Sequence, residues 1–230
     1  MKPPLSQRLL ACCSFVSPGA HIIDIGCDHG YLGIHLLQQG IANSVIAADI
    51  NEGPLMSARQ NAERFGVTDK ISFHLSNGFE DVPRTFDTVV CAGMGGDTII
   101  SILAAAPWLC DPKYHLILQC QSRRPALRRY LSDHGFRIVR ETLAQDGHFI
   151  YPVMEVIWQP EEILTPGQCH ISPALLRSGS PLLPAFFQMV MQGIHSTTEG
   201  LSHSGGPKYE LYCEVLEELS KLEGIIHGNS

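Results

Sequence analysis

The stretch IIDIGCDHGYLG, Ile22 to Gly33, runs from a block of apolar residues into a cluster that holds Asp24, Asp28 and His29 among three glycines. Carboxylates and an imidazole at the end of a buried strand can bind a cation, accept hydrogen bonds from hydroxyls or move a proton. A turn that cradles a pyrophosphate follows G-x-G-x-x-G, and its second glycine lets the phosphate approach the backbone. Here Asp28 stands where that glycine belongs. An acid beside a helix N-terminus repels a pyrophosphate, whereas it attracts a sulfonium ligand with an ammonium-bearing tail.

Two further clusters lie where the same site needs them. Asp49 closes the apolar run SVIAADI about twenty residues on, the place from which acids accept ribose hydroxyls in doubly wound folds. The run FDTVVCAGMGGD then brings Gly93, Gly95 and Gly96 around Met94 and ends at Asp97. Glycines permit positive φ and close backbone approach, which suits a loop that touches a nucleobase or a methyl donor. The plainer alternative is a set of ordinary strand-to-helix turns, with Asp28 as a helix cap and Asp49 solvated.

These clusters require elements to hold them. Strand-length apolar runs (21–26, 44–50, 70–75, 86–93, 114–120) alternate with helical segments starting near Tyr31, Pro54, Asp97 and the arginine-rich RRPALRRYLSDHG. That rhythm predicts a parallel sheet with crossover helices, buried on both faces. In GPLMSARQNAERFG the stripe Leu55, Ala58, Ala62, Phe65 is apolar, with Pro54 in the first turn and Gly66 as the stop. Runs 136–145 and 149–158 flank Asp146-Gly147, a hairpin signal. Composition changes after Pro160, and residues 160–230 carry two helical stripes, Leu183, Phe187, Val190, Ile194 and Tyr209, Tyr212, Leu216, Leu219, Leu222. They predict an antiparallel helix pair around the polar loop SHSGGP. The expected organisation is a domain over 1–159 and a helical extension over 160–230.

A net charge of −7 argues against a chain coated in positive charge. The eight cysteines form no C-x-x-C pair, so no zinc or redox motif is spelled out, and thiols inside apolar runs suit a reducing cytosol. No metal is expected. The segment LLAC near the start is too short for a secretory core, and Ser6 before Arg8, Leu9 and Leu10 reads as the capped start of a helix. No run reaches the ~18 apolar residues of a membrane span, so a cytoplasmic chain is expected.

The spacing Asp24-x-Gly26-x-Asp28-x-Gly30 resembles the first motif of S-adenosylmethionine methyltransferases. Over about residues 5–158 the pieces LSQRL, DIGCDHGYLGIHLL, DINEGPLMSARQNAERFG, SNGFE, VVCAGMGGDTIISIL and LILQ resemble, in order and spacing, the bacterial TrmK family of tRNA (adenine(22)-N1)-methyltransferases. The resemblance implies a Rossmann-like class I methyltransferase fold, a parallel sheet ending in an antiparallel hairpin, with S-adenosylmethionine as cofactor and tRNA as partner. It implies that Gly26, Asp28, His29 and Gly30 line the methionine end of the cofactor, that Asp49 and Ile50 hold the ribose, and that Asn77 and Gly78 flank the adenine. Asp24, Cys27 and Ala92 complete the candidate cofactor set. Gly93 and Met94 border the slot where the target base meets the methyl group. Asp28, His29 and Met94 are the candidate catalytic residues.

An RNA substrate also demands cations for its phosphates. Arg123, Arg124, Arg128 and Arg129 form a dense run, with Arg137 and Arg140 after it, and Arg8 is a second candidate. Helical spacing puts Arg124 and Arg128 on one face, where guanidinium groups can bracket phosphates; the plainer reading is a solvated face. The extension is acidic, with Glu161, Glu162, Glu199, Glu210, Glu214, Glu217, Glu218 and Glu223 against Arg177, Lys208 and Lys221, which argues against direct phosphate contact there. Two competing functions remain: a methyltransferase of this fold acting on a small molecule or another RNA position, and a non-catalytic cofactor- or RNA-binding module. The fourth strand lacks an NPPY-like motif, which disfavours exocyclic-amine methylation, and the arginine run favours RNA over a small molecule.

Overall fold

A computed structural model describes residues 3–161, 163–203 and 205–226, so Glu162 of the acidic set and Ser204 of the polar loop lie outside the described residues. Seven strands form one sheet: β1 (Ala20–Ile25), β2 (Ala42–Asp49), β3 (Ile71–Leu75), β4 (Thr88–Gly95), β5 (His115–Ser122), β6 (Phe136–Asp146) and β7 (Phe149–Trp158), in the order β3-β2-β1-β4-β5-β7-β6. The first five are parallel, and β7 joins β5 antiparallel with β6 outside it. This is the Rossmann-like methyltransferase arrangement, and the strand order reverses between β1 and β4. Ligands sit beyond the carboxyl ends of the strands at such a reversal.

Side chains alternate along the central strands, so each feeds two cores. Ile22, Val90 and Ile117 face one side, under α1 (Gln7–Cys13), α2 (Tyr31–Gln38) and α3 (Glu52–Phe65). Ile23, Val89, Leu116 and Leu118 face the other, under α4 (Gly96–Ala104) and α5 (Arg124–Asp133). A third core joins the hairpin to the C-terminal helices α6 (Pro166–His170), α7 (Pro173–Leu176), α8 (Leu183–Leu201) and α9 (Pro207–Ser220). There Leu143 meets Ile171, Leu175, Phe186, Phe187 and Leu219. Phe186 and Phe187 are each 1% exposed, and burying one such ring contributes roughly 1.5–3 kcal/mol.

The helix pair forms as its two stripes predict, with the short α6 and α7 leading into it. Three local details differ from the sequence reading. Helix α3 begins at Glu52, two residues before Pro54, with Asn51 in the extended cap position and Pro54 in the first turn as read. Ser6 precedes α1 but makes no capping bond, and its hydroxyl is buried without a protein partner among the described residues. The hairpin loop is Gly147-His148, closed by the pair Asp146↔Phe149, with Gly147 at φ +60 in the first central position. A glycine there suits a type II′ turn, so the two-residue loop lies one position later than Asp-Gly suggests.

Candidate active site

The site is assembled from three loops at the carboxyl rim. After β1 the chain turns through Gly26 (φ +69), and Asp28 adopts a left-handed conformation at φ +51. Aspartate tolerates that region better than most residues because its short side chain bonds locally. The Asp28 backbone N–H donates to Asp49 Oδ2 at 3.2 Å, and the Asn51 N–H donates to Oδ1 at 2.9 Å. The buried Asp49 carboxylate thus ties the first loop to the second, and each oxygen keeps a lone pair for a ligand hydroxyl.

Two cavities adjoin across Gly26, Asp49 and Met94, which line both. One, of about 390 Å³, runs past Ile50, Asn77 and Gly78 to an apolar end formed by Phe79, Ile102 and Trp108. The other, of about 360 Å³, is bounded by Arg8, Asp24, Cys27, Asp28, His29, Ala92 and Gly93. A Cβ on Gly26 would come within 2.2 Å of Met94 Cε, so the thioether occupies the space this glycine leaves and separates the two compartments. Arg84 stacks over Trp108 at 4.2 Å, and Phe79 meets Trp108 edge to face at 5.1 Å. The arrangement accommodates an elongated ligand with a planar end among aromatic rings, a diol at Asp49 and a cationic end at Asp24 and Asp28.

Asp24 is 4% exposed; burial, and then the neighbouring Asp49 carboxylate, push it up to about 7. Two adjacent acids in a low-dielectric site cannot both ionise cheaply, a cost that a cationic ligand would relieve. Burial likewise pushes the Cys27 thiol up, which keeps it a neutral wall and no nucleophile. Asp28 and His29 stand on the outer lip, 3.6 Å apart, both well exposed. Gly30 caps α2 at φ +70 behind the walls of the two cavities, and a Cβ there would meet Ala58 at 3.0 Å.

The third loop is held from beneath. Gln119 Oε1, on β5, accepts from the Gly93 backbone N–H at 2.9 Å and from Arg8 Nη1 at 3.0 Å. Arg8 Nε lies 3.3 Å from Asp146 Oδ2 on the hairpin. Arg8 therefore forms a wall of the slot, a different place from the phosphate-facing surface expected of it. Gln119, Arg84 and Trp108 lie outside the glycine-and-acid pattern that the sequence offers, Gln119 as one polar residue in an apolar strand, and Asp146 reads there only as a turn residue.

The arginine run divides. Arg128 is fully buried, ion-paired with Glu141, and donates through Nη1 to the Cys169 and His170 carbonyls at 3.0 and 3.3 Å. Glu141 also accepts from the Ser172 hydroxyl. Arg128 is thus no RNA ligand. Arg124 does share its face, but α6 and α8 cover that face: Arg124 stacks on Phe186 at 5.1 Å and is half-buried, and burial followed by the nearby Arg128 lowers its pKa. Arg123 is exposed beside Asp97, at 3.4 Å, and Arg129 is half-buried. Arg137 pairs with Glu161 and Arg140 with Glu155.

Comparison with known proteins follows from this geometry. Residues 5–154 match the model of the methyltransferase domain family. The chain belongs to that family. Its TrmK membership rests on likeness to named members: it is 31% identical over 151 residues to the tRNA (adenine(22)-N(1))-methyltransferase of Bacillus subtilis, covering 65% of this chain and 63% of that one. The match thus spans just under two thirds of that curated relative's length. The crystal structure of the B. subtilis m1A22 tRNA methyltransferase TrmK superposes with a TM-score of 0.79 at 25% identity, covering 99% of each chain. A Streptococcus pneumoniae protein, described as a candidate tRNA (m1A22) methyltransferase and crystallised with S-adenosyl-L-methionine, superposes with a TM-score of 0.79 at 31% identity, covering 96% of this chain and all of that one. Among the described residues no helix is long and apolar enough to cross a membrane, and no group of three or more His, Cys, Asp or Glu side chains is placed to hold a metal.

Proposed function

We propose that this chain is an S-adenosylmethionine-dependent methyltransferase that methylates N1 of adenosine 22 in tRNA, acting in the bacterial cytoplasm. One observation carries the reading: a double cavity at the sheet's switch point whose mouth and waist are acidic, with a buried carboxylate pair that lacks a protein cation of its own in the salt bridges of the described residues. Such a pocket fits a sulfonium and an ammonium and opposes a pyrophosphate. The full-length likeness to TrmK structures supports the substrate.

When bound, the cofactor supplies an electrophilic methyl group. Asp49 would accept both ribose hydroxyls, Asn77, Gly78 and the rings of Phe79 and Trp108 would enclose the adenine, and Asp24, Gly26, Cys27, Asp28 and Ala92 would hold the methionine end. Transfer to a ring nitrogen is an in-line displacement, so the protein's task is alignment and exclusion of water. Gly93 and Met94 border the reacting centre, and the Gln119 carboxamide fixes Gly93 through its N–H. Adenine N1 has a lone pair and needs no base to attack, but methylation leaves a cation; Asp28 and His29 at the lip are the proposed groups that stabilise it or take a proton from N6. Residues 1–159 act in this reading as the catalytic domain and 160–230 as its helical extension.

The test is to incubate the protein with labelled S-adenosylmethionine and unmodified tRNA transcripts and map the label. Label at N1 of adenosine 22 is expected. Label at N6, on the protein or nowhere overturns the reading.

A further inference from the structure

We propose that the tip of the β6–β7 hairpin is a stacking wall for an unpaired nucleotide of the RNA, adjoining the slot at Gly93. The inference rests on the tRNA reading above and adds a contact to it.

Strand β7 runs antiparallel to β5 with Gln119 opposite Val153, so the hairpin tip continues past the carboxyl end of β5, on the rim that carries the site. At that tip Phe149 is 64% exposed. Phe149 stands opposite Asp146, and paired residues share a face of the ribbon. Tyr151, two residues on, shares it too, its ring 6.1 Å from that of Phe149. Asp146 holds Arg8 Nε at 3.3 Å, and Arg8 Nη1 lies 3.1 Å from where a Cβ on Gly93 would be. Strand pairing and side-chain contacts therefore link the residue that bears the exposed ring to the slot. On the far side Arg124 Nη1 donates to the Ile150 carbonyl at 3.4 Å, and the Arg124 guanidinium lies within electrostatic reach of Tyr151.

A single exposed aromatic is common and by itself means little. Here two rings stand at the tip of a hairpin that Asp146 and Arg8 tie to the Gly93 loop. Bases stack on aromatic faces regardless of sequence, which is how unpaired RNA is gripped. Adenine N1 lies on the Watson–Crick edge, so the target leaves its pair and stack before reaction and its neighbour loses a stacking partner. Phe149 replaces that partner.

The experiment measures single-turnover methylation and tRNA affinity for wild type, Phe149→Ala and Phe149→Trp. The substrates are intact tRNA and two tRNAs carrying an abasic nucleotide immediately 5′ or 3′ of the target. Expected: Phe149→Ala weakens tRNA binding and kcat/KM roughly tenfold, the loss of one base–ring stack; Phe149→Trp restores both; cofactor affinity and Tm stay at wild-type values. On one of the two abasic tRNAs wild type and Phe149→Ala become equal. The proposal is overturned if Phe149→Ala matches wild type on intact tRNA, or if its loss persists undiminished on both abasic substrates, as a protein-facing or merely structural ring would give. A wild-type protein that binds cofactor yet leaves tRNA unmethylated sinks the functional reading itself, and that result is distinct from either of these.

Discussion

Two clusters of buried charge among the described residues are built on opposite plans. In the seam between α5 and the C-terminal helices, Arg128 and Glu141 neutralise each other, and backbone carbonyls and the Ser172 hydroxyl complete their hydrogen bonding. At the rim, Asp24 and Asp49 are neighbours, and the guanidinium that lines the same cavity, Arg8, is committed to Asp146 and Gln119. A buried charge whose partner is protein holds the fold together, whereas a buried acid left without a cation is a site that a cationic ligand completes. Residue type alone does not separate the two; partners do.

Removing Arg128 should give the largest effect. Arg128→Leu leaves Glu141 buried and unpaired, and chemical denaturation should show a loss of about 3–5 kcal/mol. Adding Glu141→Gln should recover part of that loss, and neither change should alter the salt dependence of tRNA binding in the folded protein. A milder salt slope for Arg128→Leu would place the two clusters in the same functional class and break the contrast.

The pH dependence sharpens it from the other side. Asp24 is raised from the ordinary carboxylate range to about 7, so the folded chain keeps a proton that the unfolded chain releases. That contribution to stability is complete below about pH 4, the ordinary aspartate range, and is lost as pH climbs through 7. The difference between wild type and Asp24→Asn should thus grow by on the order of a few kcal/mol between pH 4 and 8 in thermal or urea unfolding. Cofactor affinity should rise through pH 7 in wild type and lose that rise in Asp24→Asn, as calorimetry would show.

Asp49→Ala should weaken S-adenosylmethionine binding by about 10- to 100-fold, the loss of hydrogen bonds to a charged group, read by calorimetry. The smallest effect is expected at the exposed end of the arginine run. Arg123→Ala should leave Tm unchanged and lower the slope of log Kd for tRNA against log salt by about one.

Sheet and helices were legible because alternation and period are local properties: seven strand-like runs sit where β1 to β7 form, and Gly66 ends α3 as its type suggests. The rim acids were legible for the same reason, since a polar residue at the end of an apolar run has few structural uses. The arginines were not. Their spacing correctly puts Arg124 and Arg128 on one face, but spacing cannot say that helices forty residues downstream cover that face. Gly30 is ambiguous in a different way, because a glycine in a ligand loop and a glycine demanded by Ala58 are spelled alike. Gln119 and Arg8 come together across 111 residues of chain, a proximity that only the folded topology creates.

The reach of Arg128 to carbonyls 41 and 42 residues further on has a practical side for anyone who wants a minimal enzyme. The C-terminal helices are no detachable accessory. A chain cut after Gln159 keeps its whole sheet and the Arg128–Glu141 pair, yet takes both carbonyl acceptors from that guanidinium and the Ser172 hydroxyl from Glu141 and opens a raw apolar flank along the hairpin, so a minimal enzyme has to retain these helices.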